Sequence, residues 1–378
     1  MTAAHPRLWV ATALVLALLA AGVAALRLLP SMEPNIGTIA GSQSVEQVRN
    51  GGFSGDSYRA INAQLSRPSD VVAAADGTIY IADFGNQRIR QVARNGIINT
   101  IAGGGPGALV PGAFATDVSI GDASTITIDR QGRLYFLTVR AGRLEVWALQ
   151  PPDRTLSLVV SLGISNSAAV SGHRIVPLGG LAVADNATLY IADRAANQVW
   201  KWTPGGQQNV YAGTGEAGYG GDLGPATSAK LDRPMGLAFD ERRNDLYIAD
   251  NVNNRIRRVD SRGIITTVAG AGGSYGDSGD SGPELQAHLG LPFGVALSRD
   301  GSALYIADTA NNRVRKVKDG VILPLAGRPG PPGFAGDGGL AGDATLSGPE
   351  AVAMDRAGDL LIADTENNLI RIVPHISS

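Results

Sequence analysis

The chain has 378 residues, with 50 Gly, 20 Pro, no Cys and a formal net charge of −2. The near-neutral balance excludes a basic nucleic-acid footprint. The lack of Cys removes disulfides, thiolate metal sites and thiol nucleophiles together. Hydrophobic residues make up 44% of the chain, so the glycine excess serves many turns around a real core, as in an all-β protein.

The first predicted element is an apolar helix. Leu8 to Leu26 is 19 residues without a charge, enough to cross the roughly 30 Å of a bilayer's hydrocarbon. The length favours a signal anchor. A cleaved signal peptide is the alternative, with Ala21-Gly22-Val23-Ala24-Ala25 as a small-residue cut region. Residues 1–7 then form a short cytoplasmic terminus, 8–29 the anchor (or signal peptide) and 30–34 a tether. Residues 35–378 lie on the extracytoplasmic side of a single-pass cell-membrane protein, or are released there after cleavage.

The rest of the chain repeats. Tyr80-Ile81-Ala82-Asp83 returns at Tyr190, Tyr247 and Tyr305, with a near copy at Leu361 and a worn one at Tyr135; the steps are 55, 55, 57, 58 and 56 residues. Most units open on a Pro (Pro68, Pro177, Pro234, Pro292, Pro349), for which the worn second unit has Ala123. A short apolar run follows, then the Tyr-Ile-Ala-Asp run, an Asn-Arg-Ile-Arg run such as Asn254 to Arg257, and a turn into Ile264 to Gly270. Each unit thus reads as four short strands bounded by turn residues. The first two look buried on both faces, and the third carries Arg on a half-solvated surface. Six such antiparallel units around an axis make a six-bladed β-propeller.

The ends predict how the ring closes. The last unit stops after its third strand, Leu369 to Val373, while Asn35 to Gly41 resembles the fourth strand of other units, such as Ile98 to Gly103. The N-terminal segment is therefore expected to complete the sixth blade and cover an edge otherwise left unpaired.

The Tyr-Ile-Ala-Asp and Asn-Asn-Arg-Ile-Arg runs, with Gly-Asp-Gly-Gly linkers such as Gly336 to Gly339, resemble the NHL-repeat propellers. Five units match well and one poorly. The resemblance implies a six-bladed fold. It leaves function open between protein- or ligand-binding modules, extracytoplasmic sensors and some lyases, with gluconolactonase-like hydrolases among related propellers. In those hydrolases a metal sits in the central tunnel, held by oxygens from several blades.

In a four-strand meander the turn between strands two and three shares a face with the link to the next blade. That face holds the long links and the turns at Asp83, Asp193, Asp250, Asp308 and Asp364, so binding is expected there. These Asp residues, with Asn254, Arg255 and Arg313, recur too regularly to be anything but blade construction first. A ring of them near the tunnel mouth can still bind a polar ligand or a metal. The linker carboxylates Asp56, Asp222, Asp277 and Asp337 suit Ca²⁺ by chemistry, but each link supplies only one or two, and Asp also caps turns. No cofactor is expected, with Ca²⁺ as the one candidate.

Other motifs carry less. Gly213 to Gly218 fits G-x-G-x-x-G, but the Gly-rich Tyr219 to Gly224 behind it cannot open the helix a dinucleotide needs. Gly276-Asp277-Ser278-Gly279 is the linker equivalent of Gly336-Asp337-Gly338-Gly339, not a protease nucleophile. Only His173 and His288 fall in the repeat region's loops, too few for a His-rich zinc site and with no spacing that suggests a triad.

Asymmetry is the better clue. The second unit departs most, with Thr138, Arg140, Arg143, Glu145 and Trp147, and the third carries Trp200-Lys201-Trp202 where others are Arg-rich. Trp and Arg are favoured interface anchors, although drift with outer-strand packing explains the same residues. The leading expectation is a membrane-tethered propeller that binds an unidentified protein or small ligand on its loop face, with no nucleic acid. The alternative is a metal-assisted hydrolase or lyase with its site at the tunnel mouth.

Overall fold

The computed structural model describes residues 34–150, 153–163, 179–274 and 276–376. The expected apolar helix at Leu8 to Leu26 lies outside them. Among the described residues no helix is long and apolar enough to cross a membrane; the helices are Val45–Asn50 and single 3₁₀ turns.

From residue 35 the described residues form six antiparallel sheets, with consecutive strands side by side except where Gly37–Ala40, Tyr58–Arg59 and Gly282–Pro283 join an edge. Blade 4 is representative, with strands Pro234–Asp240, Asp245–Asp250, Arg255–Val259 and Ile265–Ala269. The Tyr-Ile-Ala-Asp strand is buried along its length in blades 1, 3, 4 and 5. The reason is the two-residue period of a strand. Tyr247 and Ala249 face the seam with blade 5, and Ile248 faces the seam with blade 3. A strand wedged between two neighbours has no wet face, so apolar residues fill both.

The linkers complete the seams. Ala226, Ala229 and Leu231 enter the seam between blades 3 and 4, and Ala60, Ala63 and Leu65 do the same between blades 6 and 1. Gly221 makes this possible: its φ is +84°, and a Cβ there would lie 2.6 Å from the Cα of Ala229. The four-strand expectation needs one amendment. In blades 1 and 5 the linker adds a fifth, two-residue strand, Tyr58–Arg59 on Ile97 and Ile98, and Gly282–Pro283 on Val321 and Ile322. It covers part of an otherwise open edge.

Closure is as the sequence predicts. Gly37–Ala40 pairs antiparallel with Leu369–Val373, placing Gly37 opposite Ile372 and Ala40 opposite Ile370. Ile36 is buried among residues of blades 5 and 6. Deleting residues 34–41 removes this outer strand and opens the seam to blade 1. A clearly lower melting temperature or aggregation is expected by light-scattering-monitored thermal unfolding, and unchanged stability would refute the role of the clasp.

Candidate functional site: the loop face and the central tunnel

The recurring Asp residues turn inward. In blade 4, Asp250 and Arg257 are both 0% exposed. Asp250 Oδ1 accepts from the Asp232 amide (2.8 Å), and Oδ2 accepts from Asn253 Nδ2 (2.8 Å) and Arg257 Nη1 (3.1 Å). Arg257 Nη2 then reaches the linker, donating to Asp222 Oδ1 at 2.6 Å. The ring of Tyr219 caps the assembly, 3.6 Å from the Arg255 guanidinium and 5.0 Å from that of Arg257. Blades 1, 5 and 6 repeat the unit with Asp83 and Arg90, Asp308 and Arg315, and Asp364 and Arg371.

The Arg is enclosed by the linker folded over it. The third strand keeps a regular register with the second, and opposite the Arg the fourth strand bulges by one residue, Ile101, Val268 or Leu325. The third strand's Arg is therefore not half-solvated, as the sequence alone suggests. The linker Asp is neither a free turn cap nor part of an oxygen cage: Asp56, Asp222 and Asp337 are counter-ions to the buried Arg. In blade 5 Asp280 takes this role, and Asp277 gives only its carbonyl oxygen to Arg313.

Each remaining candidate has a definite place. Asn254, with φ at +52°, accepts from the Leu291 amide of blade 5 (2.8 Å) and donates to Gly273 O (2.8 Å). Asn197, Asn312 and Asn368 staple the next blade in the same way, at Arg233, Gly348 and Arg67. Arg255 stays in its own blade and the linker, on Asn253 O and Ala271 O. Arg313 is buried against Asp280. Asp193 is 4% exposed and accepts from the Ala195 and Ala196 amides. Asp83, Asp193, Asp250, Asp308 and Asp364 thus present no open carboxylate to a ligand. Burial pushes the carboxyls of Asp83, Asp250, Asp308 and Asp364 up to about 6, against the pull of their Arg and amide donors.

Blades 2 and 3 break the unit. In blade 2 the Asp is Thr138, the linker position of Asp56 is Pro111, and Trp147, opposite Phe136, stands where Arg257 stands opposite Ile248 in blade 4, so the charges are replaced as a set. Glu145 accepts from Trp147 Nε1 at 3.0 Å and pairs with Arg140 at 3.6 Å. Trp147 is 1% exposed and serves the seam with blade 1, so it is no surface anchor. Trp200 stands where other blades place the buried Arg. Together with Trp202 it packs, half-buried, against the seam between blades 2 and 3.

The tunnel is walled by the first strands of all six blades. At one level the position reads Asp70, Thr125, Gly180, Gly236, Gly294 and Ala351 around the ring. Glycine there lets backbones touch: the Gly236 amide donates to Phe293 O at 2.7 Å, and a Cβ would sit 2.4 Å from that oxygen. Asp70 does the reverse and reaches across to blade 2. Its Oδ2 accepts from Thr125 Oγ1 (2.7 Å) and the Ile126 amide (2.9 Å), and its Oδ1 accepts from the Val71 amide (2.8 Å). Glu350 of blade 6 is the other carboxylate on the wall. Among the described residues no three His, Asp or Glu gather to hold a metal ion. A search for recurring residues misses Asp70, whose signal is that it interrupts a run of small ones.

Two family models match the chain, a teneurin NHL domain over residues 31–93 and an NHL repeat over residues 346–373. With the six repeated blades, these decide the family. The chain is an NHL-repeat propeller. NHL repeat-containing protein 2 of Homo sapiens is 27% identical over 282 residues, 65% of this propeller chain and 38% of that protein. Teneurin-4 of Mus musculus is 32% identical over 276 residues, 70% of this chain and 8% of that one. The chain therefore spans well under half the length of these relatives. Among solved structures, an auxiliary nutrient binding protein from Bacteroides thetaiotaomicron superposes with a TM-score of 0.64 at 16% identity, over 89% of this chain and 75% of its own. A gluconolactonase from Xanthomonas campestris gives 0.51 at 16%, over 90% and 94%. These two likenesses show the shared propeller fold.

Two outcomes follow for this NHL propeller. Asp250→Ala leaves the buried Arg257 with one of its two carboxylate partners, so a loss of about 3–5 kcal/mol is expected. Urea unfolding should give similar losses for Asp83→Ala and Asp308→Ala, and a smaller one for the paired change Asp250→Leu with Arg257→Met. A neutral single substitution would show the pair to be dispensable. The second outcome concerns pH. Burial in the tunnel wall pushes the Asp70 carboxyl up to about 6 from 3.8, against its three hydrogen bonds. Because the folded value lies above the unfolded one, its stabilising contribution is present at acid pH and lost as pH rises through about 6. Relative to Asp70→Asn, the wild-type protein should lose melting temperature between pH 4.5 and 7; a constant difference would contradict this.

Proposed function

We propose that this NHL propeller is a membrane-tethered, extracytoplasmic binding module that takes a protein or small ligand on its loop face and carries out no reaction of its own. One observation supports the reading above the others. The charges supplied by the repeats are spent on internal pairing, which leaves a tunnel mouth of mostly small and apolar residues with two carboxylates. General acid–base work by a metal-bound water needs several oxygens at one point, and the wall brings Asp70 and Glu350. For a protein partner, the sector of Arg140, Trp200 and Trp202 departs from the repeat and is not fully buried, with Arg140 toward the loop end and Trp202 at the opposite end of its strand.

The tether is Leu8 to Leu26, whose uncharged length suits an anchor. A reporter enzyme that works only outside the cytoplasm, fused after Ser378, should be active. Replacing Leu16 and Leu18 by Arg should abolish that activity, since each mid-helix charge costs about 2.5–3.5 kcal/mol on insertion. The wild-type protein should stay in the membrane pellet through a carbonate wash. Release as a shorter soluble species would replace the anchor by a cleaved signal, and a cytoplasmic reporter would overturn the export reading.

A further inference from the structure

The geometry points to the tunnel mouth as a receptor for a small organic ammonium ion with an apolar body, held by Asp70 as its counter-ion. This rests on the binding-module reading and names the ligand class. The argument begins with a contrast inside one molecule. The four fully buried repeat carboxylates each have an Arg of their own blade within 3.1 to 3.7 Å. Asp70 has no ion-pair partner among the described residues. Its donors are two backbone amides and one hydroxyl, which orient the carboxylate without neutralising it. A carboxylate has about four acceptor sites, so one remains, and the side chain is only half-buried where it meets the tunnel.

The wall around it is two-sided. Blades 1 and 2 bring all of the wall's hydroxyls and the Asp70 carboxylate, with Val71, Val72 and Ile126 among them, whereas blades 4 and 5 bring only apolar side chains, Leu237 and Phe293 included. A bare metal ion would use the first side and leave the second idle. An ammonium with an aliphatic or aromatic tail uses both, donating to Asp70 and resting its body on the apolar side. An aromatic at Phe293 can also face a cation. The position that holds Asp70 is glycine in three other blades, so a carboxylate there is not required by the blade fold. Glu350 of blade 6 is the other titratable group on the wall and adds to the negative field at the same mouth.

The test uses the full chain in detergent micelles, with phenethylamine as the probe and 2-phenylethanol and phenylacetate as its neutral and anionic counterparts. Calorimetric titration should give binding by the amine alone, weakened at least tenfold by Asp70→Asn. Should that variant fail to fold, the wild-type protein carries the test by itself. Amine affinity should fall at least tenfold from pH 7.5 to pH 4.5, since the carboxylate takes a proton while the amine keeps its charge. Equal binding of amine and alcohol, affinity indifferent to both Asp70→Asn and pH, or no amine binding at all would overturn the assignment. A melting-temperature gain with Ca²⁺ that Asp70→Asn removes would assign the site to a metal instead and would count against the non-catalytic reading as well. Retention of a protein partner on the loop face by the Asp70→Asn protein, with no amine binding to either form, would sink the amine and leave the binding module standing.

Discussion

The structure depends on a buried ion chain that runs from linker to blade. In blade 4 the order is Asp222, Arg257, Asp250, Asn253, with Tyr219 laid over the guanidinium. Buried ion pairs are poor stabilisers in general because desolvation consumes the Coulombic gain. Their value here is geometric. A guanidinium can satisfy a linker carboxylate and a blade carboxylate at once only if the linker is folded back at the right height. The same Arg therefore fixes both the link and the turn after the second strand. With these set, the Ala and Leu residues of the linker fall into the seam, and the Asn after the turn is left pointing at the next blade.

Much of this was legible in the sequence, and the misses have physical causes. The six units, their strand count and the borrowed strand of blade 6 follow from the step between Tyr-Ile-Ala-Asp runs and from one surplus and one missing strand. The direction of the charges was not legible. An Asp before Asn-Asn-Arg is compatible with an exposed turn or a buried acceptor. The choice is made by the linker, which folds back over the third strand and covers Arg257 with Gly220 O, Asp222 and Tyr219, and local composition carries no mark of that fold. Asp70 was hidden for the opposite reason. It belongs to no repeat pattern, so only the alignment of the six first strands, where it stands among small residues, brings it out.

The departures of blades 2 and 3 follow from the same ion chain. Removing one charge from a buried set strands the others, so change has to be concerted: Thr138, Trp147 and Pro111 replace all three members in blade 2. The sector thus trades polar specification for the aromatic packing of Trp147, Trp200 and Trp202. Apolar packing tolerates substitution better than a charge network does, so this part of the ring is free to vary.

The clasp of Gly37–Ala40 on Leu369–Val373 also sets the order of events when the protein is made. The strand that finishes the ring is the first of the propeller to be synthesised, and its partner is the last. Blades 1 to 5 have their strands in hand as they emerge, since each meander is local. Blade 6 must wait for the ends to meet across nearly the whole chain, with the loop-closure entropy still outstanding. Until then the early strand is an unpaired edge on an incomplete ring, the kind of surface that chaperones hold and aggregates recruit. Maturation of the propeller is thereby gated at its final residues, and the interval before closure is when the chain is most exposed to misassembly.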